Sequence, residues 1–140
     1  MKSLDLRIAP PRAPRAELAG IVFLPRSIDK VCAALPGGSL GGYEIEGFTT
    51  QMLAHLGISF DELFAVVRDA LTEDAVAAYF AEHADADGVD AWHKYILARK
   101  PFDGDRVAAV SEFPYLAERT DIVYSLDLLA EDDRRAFPPT

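Results

Sequence analysis

The chain has 140 residues, half of them apolar and about a quarter charged, with a formal net charge of −9. That is the length of one domain with a core of its own and the composition of an ordinary globular protein. No apolar run approaches the roughly 20 residues that cross a bilayer, so no membrane partner is expected. The first residues carry no secretory leader and Cys32 stands alone, which makes a reducing cytoplasm the expected location.

The charge is unevenly spread. Residues 1–40 carry six Lys/Arg against three Asp/Glu, whereas residues 41–140 carry eight against twenty. Phosphate neutralisation needs a basic face, so nucleic acid is excluded as a partner. The basic N-terminal stretch is expected to lie across the acidic remainder or to hold a small anion.

Residues 1–20 read as an extended, proline-rich arm. Pro10, Pro11 and Pro14 forbid a regular helix, and the alternation of Leu4, Leu6 and Ile8 gives one side that docks on a core while Arg12 and Arg15 project. The first helix is expected to open at Ser27 as N-cap, with Asp29 at the positive end of the dipole. Ile28, Val31, Cys32 and Leu35 form its buried stripe, and Pro36-Gly37-Gly38 stops it. The glycines through Gly42 predict a flexible loop. It is not a phosphate-binding P-loop, because the Gly-Lys-Ser/Thr ending is missing and the glycines follow a helix.

A second helix is read over 50–56, with Met52, Leu53 and Leu56 inward and Gly57 as its left-handed terminator. Ser59-Phe60-Asp61-Glu62 is a capping box, with Ile58 and Leu63 as its hydrophobic staple. The third helix is expected to bury Phe60, Leu63, Phe64, Val67 and Leu71. The fourth, opened by Thr72-Glu73-Asp74, buries Val76, Tyr79 and Phe80. Residues 85–90 are expected to break the chain before a fifth helix over 91–99, carrying Trp92, Tyr95 and Ile96. A sixth starts near Asp105 and splits near Phe113 because of Pro114, with Ser111 capping the second piece. Thr120 or Asp121 caps a last helix carrying Ile122, Leu126 and Leu129, whose acidic and basic tail 131–135 is solvated. Ile21-Val22-Phe23 and Tyr43-Glu44-Ile45 are the two strand signals, enough for one small hairpin. The fold class is therefore all-α, six or seven short helices in a single domain over 1–140.

The run Leu24-Pro25-Arg26-Ser27-Ile28-Asp29-Lys30, with Leu35, the glycines after it and Tyr43, resembles a family of small bacterial proteins known as domain of unknown function 5069. The opening Leu4-Asp5-Leu6-Arg7 with Pro10, Pro11, Arg12 and Pro14, and Leu56-Gly57-Ile58 with Phe60, fit that family too. The resemblance implies a helical fold and a cytoplasmic bacterial protein, and it implies no activity.

Arg26, Asp29 and Lys30 are the residues richest in chemistry. Arginine offers a planar donor fork and lysine a point charge, and together they suit a carboxylate or phosphate. The structural alternative is an internal Arg26–Asp29 pair, or a pair between Lys30 and an acid elsewhere, that pins the arm to the body. His83, Asp85, Asp87, Asp90 and His93 are grouped like metal ligands, but Ile96 stands where an EF-hand needs a bidentate Glu and no His-Glu-x-x-His pattern occurs. They are read as a solvated loop with a helix cap at Asp87 or Asp90. Cys32 is read as a core residue, and Trp92, Tyr95 and Tyr79 as core aromatics. No catalytic residue, metal or cofactor is assigned. The expected function is a non-enzymatic binding or interaction module whose Arg26, Asp29, Lys30 and Tyr43 meet an anionic small molecule, or which binds a protein partner, including a second copy of the chain in a homodimer. The alternative is a small enzyme that uses Arg26, Asp29 and Lys30 on an anionic small molecule, with Asp29 or Lys30 carrying a proton.

Overall fold

A computed structural model describes residues 1–139 of the chain. Among them are seven α-helices, two single-turn 3-10 helices at Pro101–Gly104 and Pro114–Ala117, and one two-stranded hairpin. The chain is all-α, as its periodicity predicts. Two compact units are distinguished, residues 1–93 and 94–140, and the boundary falls inside a helix. No helix is long and apolar enough to cross a membrane.

The first unit begins with a segment that is held by main-chain bonds. Ser39 N–H donates to the Leu4 carbonyl at 2.9 Å and Leu6 N–H to the Ser39 carbonyl at 2.9 Å. The glycine-rich stretch expected to be a free loop is therefore laced to residues 4–6. A Cβ on Gly38 would stand 2.5 Å from the Ala33 carbonyl oxygen, so glycine is required there for close approach. The expected docking of Leu4, Leu6 and Ile8 holds only for Leu6. Ile8 N–H turns back to the Asp5 carbonyl, which breaks the alternation, and Leu4 and Ile8 are exposed.

β1 (Glu17–Leu18) and β2 (Ile21–Val22) pair antiparallel, with Leu18 opposite Ile21 and Glu17 opposite Val22. Ala19 and Gly20, both at positive φ, supply the two left-handed positions of a tight hairpin turn. The second strand signal, Tyr43-Glu44-Ile45, forms no strand, because β1 has already paired the first.

α1 (Leu24–Ala34) starts earlier than expected. Phe23 adopts a left-handed φ of 77° and turns β2 directly into the helix, and Pro25 sits in the first turn, where its missing N–H leaves no bond unmade. Ser27 is accordingly no cap: its N–H donates to the Phe23 carbonyl, and its hydroxyl shares a 2.7 Å hydrogen bond with Thr49. Asp29 lies away from the helix start for the same reason. The helix buries every residue from Leu24 to Ala33, instead of one stripe.

α2 (Phe48–Leu56) ends as read: Gly57 is left-handed, and Gly57 and Ile58 both donate to the Leu53 carbonyl. α3 (Phe60–Asp69) carries the complete capping box, Glu62 N–H to Ser59 Oγ and Ser59 N–H to Glu62 Oε1. It buries Leu63 and Val67 against α1, but Leu71 is 96% exposed, because the helix stops at Asp69 and residue 71 leaves the stripe. The Met1 ammonium donates to the carbonyls of Val67 and Ala70 at the end of α3. α4 (Glu73–His83) packs on α3 through Val76 and Phe80, and the Tyr79 hydroxyl donates to Glu62 at 2.7 Å.

α5 (Ala86–Ala98) begins five residues before the predicted start. Asp85 accepts from Gly88 N–H and opens the helix where a break was expected. The substitution Gly88→Ala would place a Cβ 1.9 Å from the His55 carbonyl oxygen. It should destabilise the chain by about 3 kcal/mol, read as a lower urea midpoint.

In the second unit, α6 (Arg106–Glu112) starts where predicted, and Asp105 caps it by accepting from the Ala108 N–H. It ends before Pro114, and Phe113, not Ser111, heads the 3-10 turn that follows. α7 (Ser125–Ala136) begins after Tyr124 instead of at Thr120 or Asp121, because Asp121 is engaged by Arg119. Ala109, Leu116, Ile122 and Leu128 form a core there, with Phe113 and Tyr115 against it. The tail of α7 is not fully solvated. Glu131 is 6% exposed and accepts ion pairs from Arg119, Arg134 and Arg135.

The Arg134 hydrogen bond, then Arg119, holds the Glu131 carboxyl at about 2, below its ordinary 4.5. A carboxyl depressed by folding stabilises above its ordinary value, and that stabilisation disappears as pH falls from 4.5 through about 2. Thermal melts should therefore decline over that window, and Glu131→Gln should flatten part of the decline.

Candidate functional site

α1 places Arg26, Asp29 and Lys30 within a little over one turn, and all three are buried: 2%, 8% and 8% exposed. Positions i and i+4 share a helix face, so Arg26 and Lys30 point the same way. The guanidinium carbon of Arg26 lies 5.6 Å from the Tyr43 ring centre and 6.0 Å from that of Phe23. The ammonium of Lys30 lies 6.0 and 5.8 Å from the same two rings. The structure thus brings Arg26, Lys30 and Tyr43 together, and adds Phe23.

Asp29 belongs to a different arrangement. Its carboxylate accepts from the Arg12 main-chain N–H at 2.8 Å and from the Arg12 guanidinium at 3.1 Å through both Nε and Nη2. The same guanidinium pairs with Glu73 at the start of α4. Glu73, then Asp29, holds the Arg12 guanidinium above its ordinary pKa. Arg12 was expected to project from the arm. It instead pins residue 12 to α1 and α4. Arg26 takes part too, donating from Nη1 to the Arg12 carbonyl at 3.2 Å. No motif marks Arg12, Phe23 or Thr49 in the sequence as neighbours of the corner. Their places follow from the left-handed Phe23 and from long-range packing.

The strap that delivers α1 is held from outside. Trp92 Nε1–H donates to the Val22 carbonyl at 2.9 Å, and the Val22 N–H donates to His93 Nε2 at 3.1 Å. Phe23 meets Phe48 and Trp92 edge-on.

The other candidates resolve simply. Cys32 is buried, and burial, then Asp29, pushes its thiol up, which makes it a poor nucleophile. Among the described residues no group of three His, Cys, Asp or Glu is arranged to hold a metal ion. The cap is Asp85, not Asp87 or Asp90, which lie inside α5, and His93 accepts from the Val22 N–H.

A family model, Domain of unknown function (DUF5069), matches residues 8–135. The chain belongs to this family. No curated protein matches it. The matched stretch takes in Arg12, the whole of α1 and Tyr43, so the corner lies within the family's domain.

Asp29→Asn keeps the shape of the side chain and removes its charge. It should cost about 1.5–3 kcal/mol, as expected for hydrogen bonds to a charged partner, with an unchanged urea m-value.

Proposed function

We propose that this DUF5069 domain is a non-enzymatic binding module whose Arg26–Lys30–Tyr43 corner takes a small anion. One observation carries the reading: two cations from one helix face, both nearly removed from water, converge on the same tyrosine ring. A carboxylate or phosphate is the chemistry that both cations recognise from one helix face. Arginine then supplies a donor fork, lysine a point charge and the tyrosine ring a stacking wall.

Asp29 leaves the binding set in this reading. Its carboxylate is committed to Arg12, so it serves as the pin between the N-terminal segment and α1. The same commitment disfavours the enzyme alternative, in which Asp29 would carry a proton. The acidity of the chain as a whole argues for a compact anion over a nucleic acid. The family resemblance and the single buried cysteine support a bacterial, cytoplasmic setting.

The test is calorimetric titration with inorganic phosphate, sulfate and citrate, alongside thermal melts. The parent protein should bind at least one of them at millimolar concentration and melt higher in its presence. Lys30→Gln should weaken binding by roughly tenfold or more, and Tyr43→Leu should weaken it less, both without loss of the folded state. A folded parent protein that gives neither heat nor stabilisation with any of the three sinks the reading.

A further inference from the structure

The hairpin leaves one set of main-chain groups without a strand partner. In a two-residue hairpin the pair that flanks the turn, Leu18 and Ile21, exchanges hydrogen bonds, and the next pair does not. The bonding resumes one residue later, where Phe23 N–H donates to the Ala16 carbonyl. The N–H and C=O of Val22 therefore point away from β1. Val22 is 3% exposed, so water cannot satisfy both groups. Two consecutive side chains of α5 do so instead, Trp92 on the carbonyl and His93 on the N–H.

The second bond fixes a protonation state. A main-chain N–H only donates, so His93 Nε2 must carry a lone pair and the ring must be neutral. An imidazolium presents N–H at both nitrogens and would face the Val22 N–H donor to donor. We propose that His93 is a proton-sensitive latch on the β2–α1 strap: neutral, it holds Val22 in place, and protonated, it lets go. The consequence reaches the cationic corner through one residue. Phe23 follows Val22, holds the strained left-handed φ that starts α1, and supplies one of the two rings beneath Arg26 and Lys30. His93 is thus a positioning residue for the corner. The latch itself does not rest on the anion reading, because its direct effect is on Val22 and Trp92.

Charged and titratable groups lie on each of the elements around the latch. Glu17 on β1 is the register partner of Val22, Asp90 lies one turn back on α5, and the His55 ring of α2 lies 5.7 Å from the Trp92 ring. Histidines change charge between about pH 8 and 5, whereas free carboxylates titrate lower, so His55 is the group that has to be separated from His93.

The chain has one tryptophan, and it is the other half of the latch, so its fluorescence reports the strap directly. In the full chain without added anion, Trp92 emission should show one transition on acidification from about pH 8 to 5, and the melting temperature should fall through the same transition. His93→Gln should abolish that transition while keeping the neutral-pH melting temperature, because the amide oxygen of glutamine accepts the Val22 N–H without titrating. His93→Ala should melt lower at neutral pH, by roughly 2–8 °C, and should also lose the transition. His55→Gln should keep it. A parent protein with no transition overturns the latch, and so does a transition that survives in His93→Gln or vanishes in His55→Gln. None of these readouts uses an anion, so failure of the binding reading leaves them intact.

Discussion

Everything in the first unit depends on keeping one helix dry on all sides while it carries two cations and a carboxylate. Charges of this kind are rarely buried unless each finds a specific environment, since desolvation costs several kcal/mol per ion. α1 meets that constraint by sorting its charges. Asp29 is taken by the fork and main chain of Arg12. Arg26 and Lys30 go to the other arrangement, between the rings of Phe23 and Tyr43, with Arg26 also bonded to the Arg12 carbonyl. The N-terminal segment is in this sense part of the core of its unit, because it supplies the counter-charge and a main-chain acceptor that make burial of α1 tolerable.

The helical plan was open to reading wherever local chemistry sets it. Ser59 and Glu62 make a capping box in any context, and Gly57 ends a helix because it accepts a left-handed φ that other residues resist. The same holds for Asp105 at the start of α6. The misplaced boundaries are those set at a distance. α1 starts at Leu24 because Phe23 accepts strain that its neighbours stabilise, and no propensity announces an aromatic residue at φ 77°. α5 starts at Ala86 because Gly88 lets the helix lie directly on the His55 carbonyl, a contact invisible to any local pattern. Ser27 has the chemistry of a cap, but its hydroxyl is spent on Thr49.

The site was legible to about the same depth and for the same reason. That Arg26 and Lys30 share a face follows from helical spacing, and the structure keeps them together over Tyr43. The partner of Asp29 was not readable, because Arg12 is seventeen residues away in a segment with no regular structure. The expected Arg26–Asp29 pair named the wrong cation: Asp29 does tie the N-terminal segment to α1, but through Arg12. Periodicity reports which residues face inward but not which element they meet. Buried charge is where that limit bites hardest, since its partners are chosen by tertiary geometry.

The two ends of the strap complete the physical picture. At one end, the outward groups of Val22 are closed off by Trp92 and His93; at the other, Phe23 turns into α1 and underlies both cations. Strain at Phe23 persists only because its neighbours on both sides are over-determined. Loosening the Val22 bonds would remove that support and let Phe23 leave its left-handed conformation. A shift of the Phe23 ring then acts on Arg26 and Lys30 together, because they share it as a wall. An anion seated on the two cations would act in the opposite sense, holding them and so favouring the conformation of Phe23 that keeps Val22 in its latch. In the proposed reading, proton binding at His93 would oppose anion binding at the corner, each weakening the other by the same factor, as linkage requires.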